Sequence, residues 1–187
     1  MSTINRVEPV RDMDLLKDIS KYIKKRSDRD YIMFLIGIYS GLRISDILNL
    51  KVRDVKNKSS ISLREKKTNK QRLFPINPFL KKELAIYIDD YFLDMDEYLI
   101  KRQGKKNKPI SRQMAYNIMR DAATYFGLYN IGTHTLRKTF GYHFYQQTKD
   151  IVTLQKIFNH ADPSITLVYI GIEQSQINDK MNKFKLF

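Results

Sequence analysis

The longest apolar stretch of the sequence, from Tyr31 to Tyr39, sets the centre of any fold that this chain can adopt. Ser27 precedes it as a residue that caps helix starts, and Gly41 follows it as a residue that suits the left-handed end of a helix. The stretch is well short of the roughly 18 apolar residues that indicate a membrane span. It therefore predicts a helix buried in the core of a globular domain.

The patterns around this stretch predict a mostly helical domain. An amphipathic stripe predicts a helix over Asp14–Arg26, and a short helix is expected from Ile44 to Leu50. Short segments rich in β-branched or alternating apolar residues predict three strands, at Lys51–Val55, Ser60–Arg64 and Arg72–Ile76. Capping residues and helix-end glycines predict further helices at about 78–92, 112–127, 133–147, 151–158 and 163–169. The expected fold class is α+β, mostly α, with a small three-stranded antiparallel sheet.

The composition narrows the class of protein. The chain has 187 residues, a length that suits one domain over 1–187. Its 12 Tyr and 10 Phe exclude a disordered basic tail, because such a tail lacks core-forming residues. The absence of cysteine excludes disulfide frameworks, cysteine-based metal sites and thiol nucleophiles. The sequence shows neither a signal peptide nor a membrane-length apolar run, so we expect a cytoplasmic protein with no membrane partner.

The positive charge of the chain is concentrated in two places. The formal net charge is +14, from 34 Lys and Arg against 20 Asp and Glu. The stretch from Lys51 to Lys82 holds eleven basic residues against two acidic ones, and a second cluster without acids runs from Lys101 to Arg112. Such basic runs are explained equally well by solvated loops and by contacts with phosphate groups. The overall charge favours a polyanionic partner, because counterion release rewards clustered Lys and Arg on nucleic acid.

Two histidines and two arginines occur in patterns suited to holding an anion. His134 and Arg137 are three residues apart on a predicted helix, so they share one face, although spacing alone favours an ordinary surface pair. His160 follows a predicted helix end, where histidine is more often a cap for the helix dipole than a catalyst. Arg43 lies in an apolar junction, so we expect it to be half-buried and paired with Asp46, an arrangement that is also purely structural.

Five motifs follow one another along the chain. They are Ser40-Gly41-Leu42-Arg43-Ile44-Ser45-Asp46, Lys67-Thr68-Asn69-Lys70-Gln71-Arg72-Leu73-Phe74-Pro75, His134-Thr135-Leu136-Arg137, Phe158-Asn159-His160 and Tyr169. In this order, and at these predicted positions, they resemble the catalytic domain of the tyrosine recombinase (phage integrase) family. The match extends from about Asp12 to the C-terminus. Only this resemblance distinguishes Tyr169 from the other tyrosines, most of which are expected to be packing residues.

The resemblance implies that cationic side chains surround a scissile DNA phosphate. Arg43 and Arg137 would hold its non-bridging oxygens, and Asp46 would buttress the first arginine. Lys67, on the turn between the second and third predicted strands, would protonate the leaving 5′-hydroxyl. These groups would stabilise the charge that builds on the phosphate oxygens without a metal or another cofactor.

The resemblance also implies a nucleophile and its proton partners. Tyr169 would attack the phosphate to form a 3′-phosphotyrosyl intermediate, while His134 and His160 would hydrogen-bond the phosphate and assist proton transfer. We expect the nearby cations to favour the phenolate form of the tyrosine. The covalent link would conserve the phosphodiester energy, so the strand could be rejoined without ATP.

The implied partner is double-stranded DNA, with a homo-oligomer, expected to be a tetramer, forming when two sites are brought together. Basic and polar residues of the hairpin and of the stretch near 111 would contact DNA: Arg64, Lys66, Lys70, Arg72, Lys108, Ser111 and Arg112. The segment from about 173 to 187 carries apolar anchors such as Phe184 and Phe187, which suit docking in cis or in trans.

The expected function is site-specific recombination or integration by an enzyme of a prokaryote, phage or plasmid. Family members usually carry a helical DNA-binding domain before the first arginine motif, whereas only 42 residues precede Arg43, so we expect no such domain here. Alternatives are a nicking–closing enzyme similar to type IB topoisomerases and a DNA-binding regulator that retains the fold. A metal nuclease using the acidic residues between Asp89 and Glu97 is disfavoured, because a solvated acidic face explains them better.

Overall fold

The computed structural model describes residues 7–64, 71–104, 106–172 and 181–185. Its principal helices, in chain order, are α1 (Met13–Arg26), α2 (Asp28–Ser40), α3 (Ile44–Leu48), α4 (Pro78–Asp90), α5 (Arg112–Tyr125), α6 (Thr133–Thr148), α7 (Ile151–Phe158) and α8 (Pro163–Tyr169). The strands are β1 (Ser60–Arg64) and β2 (Gln71–Pro75). The predicted helices are all present, with ends that differ by at most two residues.

Helix α2 forms the centre of the core, as its apolar stretch predicts. The Ser27 hydroxyl accepts a hydrogen bond from the backbone N–H of Asp30, and Gly41 ends the helix in the left-handed conformation. The residues from Tyr31 to Gly37 are all buried. Helices α1, α4 and α6 pack around α2, while α5 packs against α1, α3 and α6. This arrangement places the end of α2 beside α6.

The sheet has two antiparallel strands among the described residues, so the expectation of three strands is wrong. Strand β1 pairs with β2 in a register that joins Ser60 to Pro75 and Arg64 to Gln71. The first predicted strand, Lys51–Val55, instead contains a 3-10 turn at Val52–Asp54. The Asp54 carboxylate accepts a hydrogen bond of 2.8 Å from the backbone N–H of Lys51, which closes the turn. This local bond competes successfully with extended pairing.

A second, smaller apolar cluster lies where α6, α7 and α8 meet. Its buried members are Leu154, Phe158, Ile170 and Ile172. Gly141 on α6 lets the helices approach closely, because a Cβ atom there would lie 2.7 Å from Phe158 and from Ile170. Bulkier residues would push α7 and α8 away from α6. The cluster therefore fixes the ends of α7 and α8 against α6.

The N-terminal strap, which we define as residues 7–11, packs against α6. The backbone N–H of Val10 donates to the Thr139 hydroxyl at 2.9 Å, and the backbone carbonyl of Val10 accepts from Nε2 of His143 at 2.9 Å. Arg11 donates from Nη2 to the Gly171 carbonyl at 3.4 Å. The strap thus connects α6 with the residues that follow α8.

None of the helices in the described parts of the chain combines the length and apolar character needed to cross a membrane.

Candidate active site

Arg137 lies at the centre of the site and is buried, with 4% of its surface exposed. It projects from the first half of α6, where Nη1 donates to the Gly41 carbonyl and Nη2 donates to the Phe158 carbonyl at 2.8 Å. The guanidinium also lies over the Phe158 ring, 4.2 Å from its centre. One side chain therefore joins the end of α2 to the end of α7.

The partners of Arg137 leave its positive charge available. Burial lowers the pKa of Arg137 to about 10, so the side chain remains charged at neutral pH. Its two hydrogen-bond partners in these bonds are neutral carbonyl groups, which orient the guanidinium without cancelling its charge. A guanidinium has five N–H donors in a planar fork. Arg137 is thus suited to bind an anion such as a phosphate.

Arg43 differs from its expected environment. It is exposed rather than half-buried, and it occupies the residue before α3 in an extended conformation. Arg43 and Asp46, both described, form no ion pair; Asp46 instead accepts a long hydrogen bond, 3.5 Å, from Ser45. The Asp46 carboxylate raises the pKa of Arg137, while the Arg43 charge lowers it. Arg43 is therefore an exposed cation whose charge acts on the buried Arg137.

His134 and Tyr169 come together although 35 residues separate them. Nδ1 of His134 lies 3.3 Å from the Tyr169 hydroxyl. Burial, and next the charges of Arg137 and Arg43, hold the pKa of His134 below its ordinary value. The ring is consequently neutral at neutral pH, and in the tautomer protonated at Nε2 its Nδ1 accepts a hydrogen bond from the phenol.

The C-terminal end of α7 determines the position of His160. Asn159 ends α7 in the left-handed conformation, with φ 54° and ψ 47°, which asparagine tolerates better than most residues. Nδ1 of His160 lies 2.9 Å from the hydroxyl of Thr166, a fully buried residue of α8. Burial, followed by the charges of Arg137 and Arg43, lowers the pKa of His160. This second imidazole is therefore also neutral and held in one orientation.

Tyr169 is the last residue of α8 and is partly buried among other side chains. The Phe158 and His160 rings stand almost perpendicular to its ring, with centres 5.4 Å and 5.2 Å away. Burial raises the pKa of Tyr169 and outweighs the opposing effect of Arg137 and Arg43. The nearby cations do favour the phenolate, as expected, but burial has the larger effect, so the phenol would need a proton acceptor before it could act as a nucleophile.

Several residues that were expected to contact DNA are placed in other roles or lie outside the described residues. Lys66, Lys67 and Lys70 lie outside the described residues. Arg72 donates from Nη2 to the carbonyls of Lys156 at 3.0 Å and Ile157 at 2.6 Å, so it ties β2 to α7. The Ser111 hydroxyl accepts from the backbone N–H of Met114 at 3.1 Å and caps α5. The remaining three, Arg64, Lys108 and Arg112, are exposed.

The acidic residues near the end of α4 do not gather into a ligand cluster. Among the described residues, no group of three or more His, Asp or Glu side chains is arranged to hold a metal ion. Asp89 pairs with Lys56 at 3.4 Å, and Asp96 pairs with Arg53 at 2.6 Å. These carboxylates belong to a solvated surface with basic neighbours.

Two residues of the site were missed by sequence reasoning. Lys138 is buried and its Nζ lies 5.2 Å from the centre of the Tyr169 ring. Thr166 contacts His160 through its buried hydroxyl. The adjacency of Lys138 to Arg137 was visible in the sequence, but its contact with Tyr169 has no local signal, because Tyr169 lies on another helix.

This arrangement of two imidazoles, a buried arginine and a tyrosine is accompanied by a clear family relationship. Residues 10–176 match the sequence model of the phage integrase family, and the chain belongs to that family. A "Probable integrase/recombinase YoeC" of Bacillus subtilis (strain 168) is 51% identical over 168 residues, covering 90% of this chain and 91% of the relative.

More distant relatives are tyrosine recombinases by name. "Tyrosine recombinase XerA" of Pyrococcus horikoshii is 31% identical over 177 residues, covering 92% of this chain and 61% of the relative. A crystal structure of XerA recombinase shares the fold, with a TM-score of 0.75, 24% identity and coverage of 94% of this chain and 63% of that chain. The chain thus spans about three fifths of the length of these XerA proteins.

Proposed function

We propose that this protein cleaves and rejoins DNA strands at specific sites through a 3′-phosphotyrosyl intermediate. The observation that carries the proposal is the position of the Tyr169 hydroxyl, 3.3 Å from Nδ1 of His134 and beside the charged, buried Arg137. A protonated phenol, a neutral imidazole and a guanidinium are the groups that this attack requires. The family relationship supports the same reaction class.

The first step is the attack of the tyrosine on the scissile phosphate. His134 accepts the phenol proton at Nδ1, and the Tyr169 oxygen forms a bond to phosphorus while the bond to the 5′-oxygen breaks. Arg137 and Arg43 bind the non-bridging oxygens and stabilise the negative charge that develops on them. His160, held by Thr166, donates a further hydrogen bond to the phosphate from Nε2.

The leaving 5′-oxygen requires a proton, which we assign to Lys67, a residue outside the described part of the chain. The reverse reaction, with a 5′-hydroxyl attacking the phosphotyrosine, rejoins the strand and returns the proton to the lysine. The phosphodiester energy is kept in the covalent link, so the cycle needs no ATP. The residues that perform these steps also need no metal ion.

DNA is the partner, and the exposed basic residues Arg64, Lys108 and Arg112 supply backbone contacts. We assign Arg72 an indirect role, because its guanidinium positions the hairpin against α7. Two cleaved sites must be held together for strand exchange, which favours a homo-oligomer, a tetramer, on DNA. Exposed Met181 and Phe184 are apolar contacts by which the C-terminal segment could dock in cis or in trans.

The test is the capture of covalent protein–DNA adducts. The probe is a pool of nicked duplexes with a random core sequence, in which a cleaved strand loses its short 5′-hydroxyl fragment and cannot be rejoined. We expect adducts with the natural protein in the presence of EDTA, and none with Tyr169→Phe. Tyr129→Phe is the matched control, because Tyr129 is 88% exposed and has no role in the proposed reaction.

Each alternative function has its own outcome in this experiment. Adducts that persist in Tyr169→Phe would show that another residue is the nucleophile. Duplex binding without an adduct on any member of the pool would favour a DNA-binding regulator, and cleavage lost in EDTA would favour a metal nuclease. Relaxation of a supercoiled plasmid without recombination between two captured sites would favour a nicking–closing enzyme.

A further inference from the structure

Lys138 is a buried cation that the proposed mechanism does not use. Only 7% of its surface is exposed, and it directly follows Arg137 on α6. Its Nζ lies 5.2 Å from the centre of the Tyr169 ring, within the range of a cation–π contact. Burying an ammonium group is costly unless other groups stabilise its charge, and the Tyr169 ring is one such group.

We propose that Lys138 is a positioning residue for Tyr169, whose ring it holds so that the hydroxyl remains directed at His134 and the phosphate. This inference rests on the proposed function, because it assigns a role in the attack of the tyrosine. Lys138 contacts the ring of the nucleophile rather than the reacting atoms, so it acts through Tyr169. A second lysine in the site would then differ in role from Lys67, which acts on the leaving group.

The position of Tyr169 explains why its ring needs such a contact. The tyrosine is the last residue of α8, a helix of seven residues, and the next residue, Ile170, leaves the helix. The buried Ile170 fixes the main chain there, but it does not set the side-chain torsions of Tyr169, so neighbouring side chains determine where the ring points. Phe158 and His160 meet the ring at 75° and 72°, and the Lys138 ammonium adds an electrostatic contact to the π system.

The same ammonium influences the proton acceptor. The charge of Lys138 is one of those that lower the pKa of His134, after burial and the charges of Arg137 and Arg43. Removing this charge therefore raises the pKa of His134 and makes the ring bind a proton at higher pH. A lysine that only fills space would not move the pH dependence of cleavage.

The experiment compares single-turnover cleavage by Lys138→Met, Lys138→Arg and the natural protein on one captured duplex. Lys149→Met is the matched control, since it removes a lysine 5.7 Å from the Tyr145 ring on the same helix and changes the net charge equally. A second duplex carries a 5′-bridging sulfur at the scissile phosphate. The thiolate departs without protonation, so this substrate reports the attack without the leaving-group step.

We expect Lys138→Met to cleave both duplexes about three- to thirtyfold more slowly, the range that corresponds to a cation–π contact. The acidic limb of its pH–rate profile should move to higher pH, and Lys138→Arg should restore both properties. Lys149→Met should cleave at the natural rate. If Lys138→Met is unfolded in a thermal scan, Lys138→Gln replaces it, because glutamine removes the charge but remains polar.

Two results would overturn the proposal. One is cleavage of both duplexes by Lys138→Met or Lys138→Gln at a rate within about twofold of that of the natural protein. The other is a slow variant whose acidic limb is unmoved and which arginine does not restore, because packing alone would explain it. A natural protein that forms no adduct would instead refute the proposed function.

Discussion

The close contact between Gly41 and α6 predicts that Gly41→Ala destabilises the protein through two separable effects. Gly41 has φ +64°, in the left-handed region, where an alanine costs about 1 kcal/mol. An added Cβ would also lie 2.4 Å from Cδ1 of Phe140, too close for any real contact. Overpacking of this kind costs about 1 to 3 kcal/mol. We expect the free energy of unfolding to fall by about 2 to 4 kcal/mol.

Gly127→Ala isolates the backbone effect. Gly127 has φ +70°, but no atom lies within 4 Å of the Cβ that it would gain. The measurement is urea unfolding followed by circular dichroism, with free energies extrapolated to water. We expect Gly127→Ala to lose about 1 kcal/mol. In a Phe140→Ala background, where the ring is absent, the loss caused by Gly41→Ala should fall towards the same value.

Gly41→Ala should also impair adduct formation, because the Gly41 carbonyl orients Arg137. Equal losses of stability in Gly41→Ala and Gly127→Ala would refute the packing argument. A normal cleavage rate in a folded Gly41→Ala protein would refute the link from Gly41 to Arg137.

Two further predictions concern the imidazoles of the site. Because His134 and His160 have lowered pKa values when folded, the unfolded chain binds more protons as pH falls towards and below 6.5. The free energy of unfolding should therefore decrease from pH 7.5 to pH 5. Unfolding titrations of a His134→Gln, His160→Gln double variant should show a smaller decrease. A decrease as large as that of the natural protein would contradict the pKa directions. Thr166→Val should slow cleavage by releasing the His160 ring, and should cost about 1 to 2 kcal/mol of stability by removing a buried hydrogen bond. A normal rate in folded Thr166→Val would show that the hydroxyl does not orient His160.

Helix boundaries could be predicted because their causes are local. Ser27, Asn77 and Asp150 each cap a helix through a side chain that accepts a hydrogen bond from the backbone N–H three residues later. The prediction of a strand at Lys51–Val55 is wrong for an equally local reason. The alternating pattern there resembles a strand, but the carboxylate of Asp54 folds back to the N–H of Lys51 and forms a turn.

The residues proposed for the site could be named from the sequence, but their burial and pKa values could not be predicted from it. The identities of Arg43, Arg137 and Tyr169 came from a family resemblance, whereas their environments depend on helices far apart in sequence. The sequence suggested that Arg43 would be the half-buried arginine, yet Arg137 is buried because α2 and α7 end on either side of it. The raised pKa of Tyr169 follows from that same enclosure.

The N-terminal strap has a consequence for the order in which the site is completed. Arg11 donates to the carbonyl of Gly171, 160 residues further along the chain. During synthesis the strap leaves the ribosome long before its partners exist, so it must wait unpaired until α6, α7 and α8 have docked. The loop that this contact closes is nearly as long as the domain, and closing it is costly in chain entropy. Arg11 can therefore meet Gly171 only after nearly the whole domain has been synthesised, so we expect the strap to dock late in folding.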